Sequence, residues 1–424
     1  MKLKLIFILL LLSGQAKALD YTLDECISMA LSKNPDLLKE RAVLQEYEAG
    51  YSISKAGLLP QLDFALNYQR YEQELPSKKA LFGVSQDDYY SEIIFKQNIF
   101  AGGRFTSQID SSKILVESQK EHILLIEKEL ILNITKAYYE QMRSSYFLEI
   151  QKTLLEKLSD QRVIAELLYK GGKTSIVDVL RIQTNESAQR DIVANAENQA
   201  YLKELNLGQT IGVESPIKAK SSLPQINENI VFEKEIPADI LNSHPEILFS
   251  SLSKEKNFVE IKTAKSSRYP SLYFKASYFM EDKTFFPGNS NSYGGLFLSL
   301  PIYNGGSISA QIEKSKAKYL QSLEVERKTR LNLYSRYSAA VATALDKKDR
   351  ISTAAKTLEL AKETLTASEL NYSSGKISVI DLLDAQKLWS NASLSYANAA
   401  LDYLISIAEL KYIWTDGVKG DVLK

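Results

Sequence analysis

The sequence predicts an α+β membrane protein built from two tandem structural repeats, each supplying a β-hairpin and long helices. Three observations lead there. Landmarks of the first half recur in order in the second. Four short runs alternate apolar and polar residues. The helical stretches are far too long for one compact domain to bury.

The chain of 424 residues begins with a segment to be set aside. Lys2 and Lys4 give a basic start, Leu5 to Leu12 is an unbroken apolar run, and Ala16-Lys17-Ala18 is an A-x-A cleavage site. Residues 1–18 therefore read as a secretory signal peptide, since so short an apolar run does not span a bilayer. The alternative is a buried N-terminal helix. Without Lys2, Lys4 and Lys17 the 52 basic residues fall to 49 against 52 acidic ones, a net charge of −3. That balance gives no electrostatic case for nucleic acid. No later stretch is apolar and long enough for a transmembrane helix, so entry into a membrane requires a closed β-barrel. Cys26 is the single cysteine and His122 and His244 are the only histidines. An internal disulfide is excluded, and no metal or cofactor is expected.

The repeat carries the organisation. Asn34-Pro35-Asp36-Leu37 is echoed by His244-Pro245-Glu246-Ile247, and Leu59-Pro60-Gln61-Leu62 by Tyr269-Pro270-Ser271-Leu272. Pro35 to Pro245 and Pro60 to Pro270 are both 210 positions. Ile99-Phe100-Ala101-Gly102-Gly103 is echoed by Ile302-Tyr303-Asn304-Gly305-Gly306, and Asp178-Val179-Leu180 by Asp381-Leu382-Leu383, both 203 apart. The first repeat is placed at 19–212, with its hairpin at about 61–100. The second is placed at 237–415, with its hairpin at about 270–303. A proline-punctuated linker at 213–236 separates them and a polar tail at 416–424 follows. In each half a helix of about 35 residues is expected to end at Pro60 or Pro270, where helix gives way to strand. Gly102, Gly103, Gly305 and Gly306 follow the strands. They read as backbone bends rather than phosphate loops, because no Lys-Ser/Thr follows them.

The strands have period two. Leu62, Phe64, Leu66 and Tyr68 share one face, as do Ile93, Phe95 and Ile99, then Leu272, Phe274, Ala276 and Tyr278, then Leu296, Leu298, Leu300 and Ile302. Each run approaches the length of a tilted membrane strand, and apolar out with polar in is the pattern of a water-filled barrel. Tyr71, Tyr89, Tyr90, Phe279, Phe285 and Phe286 lie near strand ends, where an aromatic girdle would sit. The intervening segments, near Leu75–Asp88 and Glu281–Asn291, read as polar loops. The competing expectation is two hairpins on a soluble core.

Between Arg104 and Tyr169 there is no proline or glycine, enough for a helix of about 100 Å. Four strands cannot close a barrel and open edges are excluded from lipid, so the chain must oligomerise. Two copies would give an eight-stranded barrel filled by its own side chains, so a conducting pore favours three.

These motifs, in register on a twofold repeat, resemble the TolC family of outer-membrane efflux proteins over essentially the whole mature chain. The residues carrying the resemblance are Asn34-Pro35-Asp36-Leu37, Leu58 to Leu62, Leu300 to Gly306, and Tyr372-Ser373-Ser374-Gly375 with Asp381 to Ala385. It implies a homotrimer with a shared twelve-stranded barrel, four strands per chain, continued by a long periplasmic α-helical barrel. It also implies the outer membrane of a Gram-negative cell, contact with its lipid, a periplasmic adaptor, and an inner-membrane transporter of RND, ABC or MFS type. The implied function is the exit duct of a tripartite efflux pump or a type I secretion system, for small toxic molecules or proteins. A periplasmic coiled-coil protein without a pore is the alternative, and it leaves the four alternating strands unexplained. A secreted enzyme is the third class. Nothing supports it, because no nucleophile and base stand together.

Ser175 to Asp178 and Ser378 to Asp381 both have the S-x-x-D form of a capping box. Asp178 and Asp381 are therefore expected either to cap helices or to serve the pore. Asp384 lies one turn beyond Asp381, and capping does not explain it. The resemblance places Asp381 and Asp384 at the periplasmic pore entrance, where three copies would form an acidic ring that favours cations. Tyr372 and Asp178 match a tyrosine and an aspartate of the family's closing network. The family's arginine position is Ile377, beside Lys376. Either Lys376 or Lys173 stands in for it, or the tip is held more loosely.

Overall fold

The computed structural model describes residues 20–84, 86–220, 226, 231–286, 288–414 and the backbone of 418–419. The expected signal peptide lies outside the described residues, as does the tail from 416 apart from 418–419. In chain order the elements are β1 (Asp20–Tyr21), α1 (Leu23–Lys33), α2 (Pro35–Ala56), β2 (Gln61–Arg70), α3 (Pro76–Phe82), β3 (Asp87–Ala101), α4 (Arg104–Lys170) and α5 (Ile176–Ile211). They continue with β4 (Lys218–Ala219), β5 (Val231–Phe232), α6 (Ala238–Ser243), α7 (Pro245–Ser266), β6 (Ser271–Asp282), β7 (Ser290–Ser299), α8 (Ser307–Ser373), α9 (Val379–Ile413) and β8 (Val418–Lys419). Helices α4 and α8 each run 67 residues, and α5 and α9 run 36 and 35. No described helix is long and apolar enough to cross a membrane.

Residues of both halves mix in each of two compact units. One contains residues 1–38, 126–237 and 335–424, the other 39–125 and 238–334.

The second unit holds a four-stranded antiparallel sheet in the order β2–β3–β6–β7. Directly opposed residues share a face. Leu62 opposes Phe95 and Phe64 opposes Ile93, while Leu272 opposes Leu298 and Phe274 opposes Leu296. One face is therefore apolar, and it is bare: Leu62, Phe64, Leu296 and Leu298 are 71, 69, 65 and 70% exposed. The other face carries charge. Glu92 accepts from Ser277 Oγ and lies 3.8 Å from Lys275 Nζ.

The structure departs from strict period two at one place. The β3–β6 register shifts between Asn98 and Phe100, so Phe100 rather than Ile99 stands opposite Leu272 on the apolar face. Ile99 is the extra residue of a bulge. Beside it, Asn98 Nδ2 and Gln97 Nε2 donate to the carbonyls of Gly57 and Leu58, at 3.0 and 2.7 Å, and tie the strand to the corner before Pro60. Strand β7 ends at Ser299, short of the expected Leu300 and Ile302, because Pro301 has no NH for a ladder. The expected aromatic belt divides between the faces. Tyr89 opposes Tyr68 on the apolar face, whereas Tyr90 opposes Asn67 on the polar one, its ring 5.9 Å from Phe279.

The expected single helix before each corner is two. Pro35 and Pro245 lack the NH that would continue α1 and α6, so each starts a new helix. Asn34 Oδ1 accepts from the NH groups of Asp36 and Leu37, and His244 Nδ1 accepts from Glu246 N. After the strands, Gly102 and Gly103 take φ of 61° and 81°, and Gly305 and Gly306 take 64° and 81°. A Cβ on Gly102 would stand 2.6 Å from the Ser266 carbonyl oxygen, so both space and backbone demand glycine there.

In the first unit the linker is not structureless. Strand β4 pairs in parallel with β1, and β5 pairs antiparallel with β8. Gln141 Oε1 accepts from Ala219 N at 3.0 Å, and the Tyr138 hydroxyl donates to the Tyr21 carbonyl at 3.2 Å.

Candidate functional site at the paired helix turns

The α4–α5 and α8–α9 turns lie in one unit and are built alike. Gly172 and Gly375 take φ of 70° and 75°. The following NH groups, of Lys173 and Lys376, donate to the carbonyls of Leu168 and Asn371, each at 2.9 Å. This closure satisfies carbonyls left over at a helix C-terminus and requires the left-handed residue. Two residues further on, Ser175 and Ser378 start α5 and α9 as N-caps.

Asp178 and Asp381 both complete capping boxes. Asp178 accepts from Ser175 Oγ and Thr174 Oγ1, each at 2.9 Å. These bonds, that to Ser175 foremost, hold its carboxyl below the ordinary aspartate range. Asp381 accepts from Ser378 Oγ at 2.7 Å and Ser378 N at 3.1 Å. Both carboxylates also sit in the first turn, favourable to the helix dipole.

Asp384 is free of that role. It is exposed and lines a groove of about 590 Å³ together with Arg181, Asn185, Gln386 and Lys387. Arg181 stands three residues after Asp178, as Asp384 does after Asp381, so a cation and an anion hold equivalent places in the two halves. The sequence reading missed Arg181 and Lys387. The repeat offset of 203, carried one turn further, reaches Arg181 from Asp384.

Beneath the turns, Ala165, Val179, Ile182, Tyr372, Val379 and Leu382 form one buried cluster. Tyr372 is 5% exposed and its hydroxyl has no hydrogen-bond partner among the described residues. Burial, then the Asp178 charge, raises the phenol pKa above its ordinary value. Ile377 packs against the same cluster, which explains an apolar residue there, while the side chains of Lys173 and Lys376 are exposed. One layer deeper, Gln386, 1% exposed, donates to Gln161 Oε1 at 2.7 Å. The structure thus brings Asp178 and Tyr372 to one turn cluster, with Asp381 at the matching cap and Asp384 on the groove beside it. Pro60, Pro270 and the glycine pairs belong to the corners of the other unit. Among the described residues no His, Cys, Asp and Glu cluster could hold a metal ion.

Paired helical turns, tandem halves and an amphipathic sheet define a transport protein of the outer-membrane channel class. Residues 26–213 and 236–415 match the model of the outer membrane efflux protein family, and the chain belongs to that family. It is 21% identical over 416 residues to outer membrane protein TolC of Vibrio cholerae, covering 92% of this chain and 89% of that protein. It is 21% identical over 379 residues to the pyoverdine export outer membrane protein OpmQ of Pseudomonas aeruginosa, covering 86% and 79%. The fold is similar to the Campylobacter jejuni CmeC outer membrane channel, with a TM-score of 0.81 at 17% identity over 94% of this chain and 86% of that one.

Proposed function

We propose that three copies of this chain form the outer-membrane exit duct of a pump or secretion machine. The observation that carries this reading is the sheet: one face is apolar and bare, and its two edge strands, β2 and β7, have no neighbour on their outer sides among the described residues. Lipid accepts the bare face and tolerates no open edge. Pairing β2 of one copy with β7 of the next removes both edges and gives twelve strands, wide enough for an aqueous lumen lined by the polar face.

The long helices continue the duct into the periplasm, and the paired turns form its closed end. There Asp381, Asp384, Asp178, Tyr372 and Lys376 surround the entrance, with Arg181 alternating with Asp384 around it. A periplasmic adaptor and an inner-membrane transporter supply the cargo and the energy. The export role named for relatives such as OpmQ supports a small-molecule cargo. Accumulation of a fluorescent pump substrate in cells lacking the gene tests this. Accumulation that rises and falls back on complementation supports efflux. Accumulation equal to the parent's, in a strain without a second such duct, would remove small-molecule efflux from the account.

A further inference from the structure

The segment between β2 and β3, expected as a plain polar loop, contains α3 and folds over one chosen face of the sheet. Lys78 Nζ lies 2.6 Å from Asp88 Oδ2 and 2.6 Å from Glu281 Oε1. Those carboxylate side chains are 2 and 7% exposed. The Phe82 ring stands edge-on to Phe279 at 6.1 Å, and Asn289 Nδ2 donates to the Phe82 carbonyl at 2.7 Å. Asp88 opposes Gln69, Glu281 opposes Tyr90, and Phe279 opposes Glu92, so the whole seat is on the polar face. The β6–β7 connection is shared between the faces: Asn289 joins this seat, while its Phe285 turns the other way. Phe285 stands edge-on to Tyr89 at 5.9 Å, on the apolar face. Leu81 is off the seat and 72% exposed.

An ammonium between two buried carboxylates has strong geometry and few alternatives in water. The helix is therefore strapped down rather than dangling. In the barrel proposed above, the polar face is the lumen and this end of the strands is the external mouth. We infer that α3 is a built-in collar which narrows the external mouth and sets the largest cargo the duct releases, Leu81 being the apolar side chain that each copy presents to the passage. Apolar constrictions in a wet pore oppose the passage of hydrated solutes. The inference rests on the barrel reading, and the test separates the two.

Asp63→Cys places a thiol on the polar face below the collar, and Phe64→Cys places one on the apolar face; the native Cys26 is 0% exposed and silent. Whole cells are treated with a small hydrophilic maleimide and with one carrying a long polyethylene glycol chain. In the parent, the small reagent labels Asp63→Cys and spares Phe64→Cys, and the bulky one labels neither. Replacing residues 76–82 with a Gly-Ser linker raises bulky labelling of Asp63→Cys by about tenfold or more and leaves small-reagent labelling unchanged. Leu81→Ala, which disturbs no contact of the seat, raises it in the same direction by less. Unchanged bulky labelling in both variants, with small-reagent labelling intact, overturns the collar. Equal small-reagent labelling of Asp63→Cys and Phe64→Cys in the parent overturns the barrel reading and the collar with it.

Discussion

Asp178 and Asp381 occupy the same place in the two halves: the NH of each donates to the N-cap serine Oγ at 3.3 Å, and the carboxylate of each accepts the serine hydroxyl in return. Each is a helix start first, and any role at the proposed entrance comes in addition to the cap.

Removing a cap costs local stability. Ser175→Ala or Ser378→Ala should each destabilise its turn by about 1 kcal/mol, read as faster amide exchange in the first turn of α5 or α9. Exchange unchanged at Asp178 and Asp381 NH would mean the boxes carry no weight.

At the proposed entrance, charge should follow Asp384, which does not cap a helix. Asp384→Asn should lower cation selectivity of single channels, and Arg181→Gln should raise it, because the two occupy equivalent places on one groove. The double variant Asp381→Ala with Asp384→Ala should also weaken block by multivalent cations. Reversal potentials that move with neither Asp384 nor Arg181 would put both outside the ion path.

Leu298→Lys should impair assembly by about 2–4 kcal/mol, since the proposed barrel turns that side chain, 70% exposed on the apolar face, toward lipid. Asn67→Lys, on the polar face, is the matched control and should assemble normally. Equal trimer yields would exchange or abolish the two faces.

Acid should loosen the helices of the first unit at Asp402. Its carboxylate holds Arg143 Nη2 at 2.6 Å and Lys347 Nζ at 2.9 Å, linking α9 to α4 and α8. Burial would raise its pKa, but the bonds from Arg143 and Lys347 prevail and lower it. The folded value is below the unfolded one, about 3.9. The stabilisation is therefore complete above the unfolded pKa and is lost as pH falls through the folded value. Thermal midpoints of the parent and Asp402→Asn should differ at neutral pH, begin to draw together as pH falls below about 4, and converge only below the folded pKa. A gap independent of pH would remove Asp402 from the acid response.

Much of this was legible because repetition doubles every signal. The prolines at 35 and 245, the paired glycines and the S-x-x-D boxes each appear twice, and the structure builds each pair alike. What stayed hidden was unrepeated or set by tertiary contact. Pro76 at the first helical turn and Gly83 at φ 69° mark α3, yet seven residues give no periodicity to detect. The bulge at Ile99 shows no local signal and comes from tying Gln97 and Asn98 to the corner. Which face Tyr90 and Phe279 would take depended on strand register, so the aromatic belt was overcounted. The burial of Tyr372 follows from four helix ends meeting, which no single segment encodes.

The central claim, a barrel closed by β2 of one copy against β7 of the next, is tested most directly by disulfide cross-linking in cells. A panel of double variants would pair Phe64→Cys, Leu66→Cys or Tyr68→Cys with Leu296→Cys or Leu298→Cys, sampling the register between copies. Oxidation should give, for at least one pair, a covalent ladder that ends at the trimer. No cross-link for any pair, a ladder ending at the dimer, or one running past the trimer would contradict the three-chain duct.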